Sequence, residues 1–381
     1  MLHILSRHFI RWQFDVAKGD RRALLRGIVA LVAVIVTVAL CCRQREVQVT
    51  SVLHPSTPFQ SPLTSQIKFF STETSDDTVA TREDTFPQYG EDSLPGRHFR
   101  LENRKIGGNK EENVLVVVVL KDVESWGEDR TAADFFELLG TFAFPKEKMS
   151  VTVLTSSMSE FQVVQKLMQQ QIRWYCRLSV LFRDDFALQD GVTRGNRHAD
   201  EFQTSRRRAI ARYRNFAVLS TMELWHQHVV WLDADVQKVP PELLNKMIQS
   251  GLDIVEPMCV RMKENGEDWY EYDLNAWVGH RKVRGSIRDT NFVPGDLNVK
   301  HMHQFHGHQD TFVKLDSVGG TMLYVRADVH RQGALFPVHH IIGSEWGNEG
   351  YDGIETEGLC YAAHFLGFKC WGMPNDLIYH V

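Results

Sequence analysis

The stretch His228-Val229-Val230-Trp231-Leu232-Asp233-Ala234-Asp235-Val236 decides how the rest of the chain is read. Val229 to Leu232 is a short apolar run of β-branched and aromatic residues, the composition of a buried strand. It runs straight into two acids. On extended backbone, side chains alternate faces, so Asp233 and Asp235 are expected to point the same way. Adjacent carboxylates repel unless a cation lies between them. Hard divalent ions such as Mn²⁺ or Mg²⁺ take oxygen ligands and share them with phosphates. Pro240-Pro241 suits the first turn of a following helix, where proline forfeits no hydrogen bond. An acidic turn after a core strand is the plainer alternative, and Asp-x-Asp alone does not choose between the two.

Upstream, Val114 to Leu120 is a continuous apolar run, as a central parallel strand requires. Asp134 to Leu139 reads as helix and Val151 to Leu154 as a second strand. Ser156-Ser157 caps a helix through Gln170, with Phe161, Val164, Leu167 and Met168 on one face. Strand and helix in alternation indicate an α/β domain with crossover-linked strands, whose ligands collect at strand carboxyl ends. Asp233 and Asp235 stand at such an end.

Ser205 to Trp225 reads as a helix leading into the acidic strand, preceded by Arg197-His198. Arg208 and Arg212, four residues apart, share a face and could offer guanidinium groups to a diphosphate. A solvated basic face is the alternative. Downstream, Leu252 to Pro257 is a further strand. Tyr272-Asp273-Leu274-Asn275-Ala276-Trp277 mixes ring faces with polar groups, as a sugar site does, or forms an Asx-type turn. Gly319-Gly320 before the strand Thr321–Val325 permits close backbone approach to a ligand. His301, His303, His306 and His308 have no standard metal spacing and read as a solvated loop. His380 follows an apolar segment near the end of the sequence, where a neutral imidazole could reach a metal.

The chain has 381 residues, enough for one large domain with appendages, and a net charge of -5 that does not suggest nucleic-acid binding. Gly27 to Cys42 is uncharged and apolar. Six basic residues precede it, and only Arg43 and Arg45 follow closely. That asymmetry places residues 1–26 in the cytosol as a tail, 27–42 as an uncleaved type II signal anchor, and the remainder in the lumen. Residues 43–110 lack periodicity and read as a solvated stem, leaving 111–381 as the catalytic domain. Cys176, Cys259, Cys360 and Cys370 would then be lumenal, with no pairing specified by spacing.

Together, Arg197-His198, Arg206-Arg207, Ala211-Arg212-x-Arg214-Asn215, Trp231-x-Asp233-x-Asp235, Tyr272-Asp273-Leu274-Asn275-x-Trp277, Asp316-x-Val318-Gly319-Gly320, Glu355-Thr356-Glu357-Gly358 and Tyr379-His380 form an ordered set. The set resembles the fungal Golgi mannan-polymerase mannosyltransferases of glycosyltransferase family 62, the Anp/Mnn-type subunits. The resemblance implies a GT-A-type nucleotide-sugar-binding fold with a mixed, mostly parallel sheet on a membrane anchor and stem. It implies a GDP-mannose donor, Mn²⁺ (or Mg²⁺), and retaining α-mannosyl transfer, α-1,6 first, onto mannan or N-glycan acceptors. A hetero-oligomer with related subunits in the Golgi membrane is also implied. By motif position, Asp233, Asp235 and His380 would hold the metal. Asp233 could instead reach the nucleotide, with Arg208, Arg212, Gly319 and Gly320. Asp273, Asp316 and Glu357 are candidates for mannose hydroxyls or the acceptor. A metal-dependent phosphohydrolase and a non-catalytic complex subunit are the rival readings.

Overall fold

The computed structural model describes residues 70–75, 78–90, 94–106, 111–186, 199–289 and 292–381. The expected tail and anchor, residues 43–69 of the expected stem, and Arg197-His198 lie outside the described residues. Among the described residues, no helix is long and apolar enough to cross a membrane.

The strands are β1 (Phe70–Ser75), β2 (Val79–Phe86), β3 (Gly96–Asn103), β4 (Asn113–Leu120), β5 (Met149–Thr155), β6 (Arg177–Phe182), β7 (His226–Leu232), β8 (Val236–Lys238), β9 (Ile254–Met262), β10 (Trp269–Glu271), β11 (Trp277–Gly279), β12 (Val299–His301), β13 (Val313–Leu315), β14 (Met322–Arg326) and β15 (Cys370–His380). The α-helices are α1 (Ala132–Gly140), α2 (Met158–Gln171), α3 (Asp200–Thr221), α4 (Leu243–Gln249), α5 (Ala327–Arg331) and α6 (Thr356–Phe365).

One mixed sheet runs β1-β2-β3-β6-β5-β4-β7-β14-β9-β15-β13, with β8 and β10 joining β15 and β9; β11 and β12 pair separately. Its centre, β6-β5-β4-β7, is parallel, and β15 runs parallel to β9; the remaining pairings are antiparallel. From Val114 onward β4 is apolar because both of its faces are covered. Val114, Val116 and Val118 enter one core cluster with Phe135 of α1 and Phe161 of α2. Leu115 and Val117 enter the other, with Ala217 and Val218 of α3 and Leu359 of α6. Each of these Val, Leu and Phe side chains contributes roughly 1.5–3 kcal/mol of burial.

The connections give this sheet its ligand site. β4, α1, β5, α2 and β6 wind away from β4 on one side, and α3 then returns the chain to β7 on the other. The strand order therefore reverses between β4 and β7, which is where an α/β sheet opens a crevice at its carboxyl edge. Ser157 caps α2 by accepting from the Glu160 N–H, as the sequence indicated.

Three expectations need correction. The described residues between 70 and 106, read as stem, form β1–β3 and extend the main sheet through β3 and β6. These strands carry little apolar signal because they lie toward the sheet edge, where charged side chains stay solvated. Second, Asp233 and Asp235 are not on extended backbone. β7 ends at Leu232, and the Val236 N–H returns to the Asp233 carbonyl at 3.3 Å. A turn, not strand alternation, brings both acids to one place. Third, the helix expected to begin with Pro240-Pro241 in its first turn begins at Leu243 as α4, and α3 starts earlier and ends earlier than Ser205–Trp225.

Candidate active site

A cleft of about 1350 Å³ opens at the carboxyl edge of β4–β7. Its walls are the segment after β4 (Lys121, Ser125, Asp129), Ser156 after β5, Asp184 and Phe186 after β6, the Asp233–Asp235 turn, one side of α3, Tyr272–Asn275, Gly320-Thr321, Glu355 and His380.

The far end of β15 brings His380 here. Pairing with β9 and β8 fixes this strand to its last residues, Tyr379 opposite Lys238 and His380 opposite Val236. The His380 ring stacks on Tyr272 at 3.9 Å between centroids. Its Nε2 lies 3.2 Å from Asp235 Oδ1. Its Nδ1 lies 2.8 Å from the Val381 main-chain oxygen. Burial lowers the basicity of this imidazole, but the hydrogen bond and charge of Asp235 outweigh it and the net shift is upward. A ring nitrogen donating to a main-chain oxygen leaves the other nitrogen as the ligand, the usual arrangement of a metal-binding histidine.

Asp233 is the second carboxylate of the turn. Burial pushes it up to about 6; Arg214 opposes this, while Asp235 and Asp273 add to it. Because 38% of the side chain is open to the cleft, solvent tempers that rise. Among the described residues, no three His, Cys, Asp or Glu side chains stand already gathered as a metal cage. Asp235 and His380 are in contact and Asp233 lies on the same turn, so oxygen and imidazole groups of the kind a hard divalent ion takes stand at this edge of the cleft.

Of the residues singled out from sequence, Asp233, Asp235, Asp273, Gly320 and His380 line the cleft; Arg208, Arg212, Asp316, Glu357 and Gly319 do not. Arg208 turns to Glu349 at 2.8 Å and to the Val338 carbonyl at 3.0 Å. Arg212 lies over the Phe186 ring. Asp316 is exposed and accepts from the Gly279 N–H at 2.7 Å. Glu357 sits behind the wall, paired with Arg207 at 2.7 Å and Arg281 at 2.9 Å. Burial raises its pKa, but these two guanidinium groups outweigh it and hold the carboxyl below its ordinary value.

Asp273 is in the wall but its oxygens are engaged. Oδ2 accepts from the Gly320 and Thr321 N–H groups and the Thr321 hydroxyl, and Oδ1 from Asn275. This changes the reading of Gly319-Gly320. A Cβ on Gly319 would lie 2.0 Å from Asp273 Oδ2, and one on Gly320 2.3 Å from Arg214 Nη1. The close approach that demands two glycines is by these side chains of the protein itself.

Sequence reasoning assigned no role to Arg207, Arg214 or Glu355. The first two belong to the stripe Gln203, Arg207, Ile210, Arg214, which recurs at three- and four-residue spacing along α3 and faces the cleft. Arg207 is held by Glu357 and, at 3.2 Å, by Asn275. Arg214 pairs with Glu355 at 2.5 Å and Asp233 at 3.2 Å. Glu355 precedes α6 at φ +60°.

A disulfide joins Cys360 of α6 to Cys370 of β15; Cys176 and Cys259 are buried and take no part in it.

Among curated proteins, the chain is 28% identical over 312 residues to the mannan polymerase complex subunit MNN9 of Candida albicans, covering 75% of this chain and 81% of the relative. It is 27% identical over 285 residues to mannan polymerase complex subunit mnn9 of Schizosaccharomyces pombe, covering 71% and 80%. The mannan polymerase II complex ANP1 subunit of Saccharomyces cerevisiae is 23% identical over 304 residues, covering 74% and 57%. Among solved structures, a mannosyltransferase from Pyrobaculum calidifontis in complex with GDP-Man and Mn²⁺ aligns over 71% of this chain and 58% of its own, at 11% identity and a TM-score of 0.40. A likeness of that degree says nothing about the site. The family model described as Anp1 matches residues 99–340, well over half of the chain. These relatives are the group that the ordered motifs resemble, and the chain belongs to the Anp1 family.

Proposed function

We propose that this chain is a GT-A-type glycosyltransferase that moves mannose from GDP-mannose onto mannan or N-glycan acceptors, with retention and an α-1,6 linkage. One observation carries the reading: the contact of Asp235 with His380 at the strand-order reversal of an Anp1-family chain. The relatives' names as mannan polymerase subunits support the donor sugar and the acceptor class.

Asp235 and His380 would hold Mn²⁺ or Mg²⁺, with Asp233 on the ion, on its water or on the nucleotide ribose. A divalent ion there supplies Lewis-acid stabilisation of the charge that develops on the leaving diphosphate. Arg206 and Arg207 replace Arg208 and Arg212 as diphosphate candidates because they line the cleft. Tyr272, Leu274 and Asn275 offer the ring face and polar groups that suit sugar. With an α donor and an α product, no carboxylate is required as general base.

The relatives are named as complex subunits, which favours activity within a hetero-oligomer of related chains. For location, the charge asymmetry about Gly27–Cys42 favours a type II Golgi protein with a lumenal catalytic domain. The Cys360–Cys370 bridge suits an oxidising lumen.

The test is incubation of the purified chain, alone and with its co-purified partner subunits, with GDP-mannose, Mn²⁺ and α-mannobiose. An α-linked mannotriose, with its linkage read by NMR, is the expected product. GDP release at equal rates with and without acceptor would instead assign a hydrolase. Protease protection of the C-terminal domain in sealed microsomes tests the topology; digestion without detergent would refute it.

A further inference from the structure

We infer that Arg214 is a positioning residue that aims Asp233 into the cleft, and that Glu355 and Gly320 serve to hold it there. Arg214 lies on α3 with 8% of its side chain exposed. A buried guanidinium is costly unless it is paired, and this one makes three hydrogen bonds through its two terminal nitrogens. Nη1 donates to Glu355 Oε1 at 2.5 Å, and Nη2 donates to Asp233 Oδ1 at 3.2 Å and to the Gly320 carbonyl at 3.3 Å. The aromatic rings of Phe336 and Trp231 lie 5.3 and 6.0 Å from its Cζ.

The two carboxylates differ in what they face. Glu355 is 9% exposed and its other oxygen accepts from the Thr356 hydroxyl at 3.1 Å. Both of its oxygens are therefore used inside the protein. Asp233 is 38% exposed, its Oδ1 taken by Arg214, which leaves Oδ2 for a ligand. Arg214 is thus a bridge with an anchored end and a working end.

Two costly features converge on the anchor. Glu355 adopts φ +60°, ψ -130°, a conformation side-chain-bearing residues rarely take, with its N–H fixed to the Pro337 carbonyl at 2.8 Å. Such strain persists where surrounding structure enforces it. Gly320 admits the guanidinium against bare backbone, because a Cβ there would lie 2.3 to 2.8 Å from its terminal atoms. Both features make sense as means of locking Arg214, and through it one oxygen of Asp233.

The inference rests on the proposed transferase for its activity readout, but not for its structural one. In the full chain with its partner subunits, Arg214→Lys should lower kcat/KM about 100-fold, the scale on which a misplaced group acts. The same substitution added to Asp233→Asn should cost less than threefold further, because Arg214 acts through Asp233. Glu355→Gln, which keeps size and the Thr356 contact, should show the same non-additivity if Arg214→Lys fails to fold. GDP binding in Mn²⁺, followed by calorimetry, should track the same pattern. Independent losses that multiply would overturn the proposal, as would Arg214→Lys activity within twofold of the unmutated protein. Crystal structures of Glu355→Gln and Arg214→Lys read the claim without turnover. The Asp233 carboxylate should leave its position; finding it unmoved overturns the proposal even if the chain transfers no sugar.

Discussion

His380 Nε2 lies 3.2 Å from Asp235 Oδ1, and the Val381 N–H donates to the Asp235 main-chain oxygen at the same distance. Two bonds thus tie the end of β15 to the acidic turn after β7. Residues near a chain end usually fray; these are held by strand pairing on both sides of β15.

His380→Ala and Asp235→Ala should each lower metal-dependent transfer at least ~100-fold, and the double mutant should be scarcely worse than either. On the proposed role both remove the same metal site, so their effects should not add. Steady-state kinetics over a Mn²⁺ titration checks this. Each single variant should also lose about 1.5–3 kcal/mol of stability in metal-free buffer, since the contact is charge-assisted and mostly buried.

The same pair predicts opposite pH trends for stability and metal binding. The folded-state pKa of His380 is raised above its ordinary 6.5. A raised pKa gives stability that is fully present below the unfolded value and is lost as pH rises through the folded value. Metal-free chemical denaturation should therefore show this contribution fading from about 6.5 upward. Mn²⁺ binding needs the neutral ring, so its affinity should rise over that window. His380→Gln should flatten both trends.

Gly319→Ala and Gly320→Ala should each destabilise the fold by about 3 kcal/mol or more. Overpacking alone costs ~1–3 kcal/mol, and here the added methyl also displaces a buried carboxylate or guanidinium. Urea denaturation of purified variants measures it. A loss under 1 kcal/mol would mean that Asp273 and Arg214 have room to yield.

Cys360→Ser should cost about 3 kcal/mol on loop-closure grounds, the bridge spanning ten residues. Under non-reducing digestion the Cys360–Cys370 cross-link should appear in the native protein. Cys176 and Cys259 should resist alkylation until unfolding, because both are buried.

What the sequence disclosed depended on burial. Val114–Leu120 was legible because both faces of β4 are covered, which leaves no polar position. β3 was not, because Arg97, Arg100 and Glu102 interrupt its apolar residues Phe99 and Leu101 and find partners in Glu83, Glu223 and Arg177. Asp233 and Asp235 were legible as a motif, though the turn that aims them was not. On α3 the chemistry was legible and the phase was not. Each residue turns the helix about 100°, and the burial of Ala211, Ala217 and Val218 is what directs Arg207 and Arg214, not Arg208 and Arg212, toward the cleft. Glu355 was visible only as one acid among several, since its partner lies 141 residues away.

On the proposed function, Asp235 and His380 hold the metal of a mannosyl transfer. The most direct measurement compares labelled mannose transfer from GDP-mannose to α-mannobiose by the native complex in Mn²⁺ and in chelator, and by the complex carrying Asp235→Ala. Transfer should occur in Mn²⁺ alone and be abolished both by chelator and by Asp235→Ala, with the variant complex still assembled. Undiminished transfer by Asp235→Ala, or by the native complex in chelator, would contradict it.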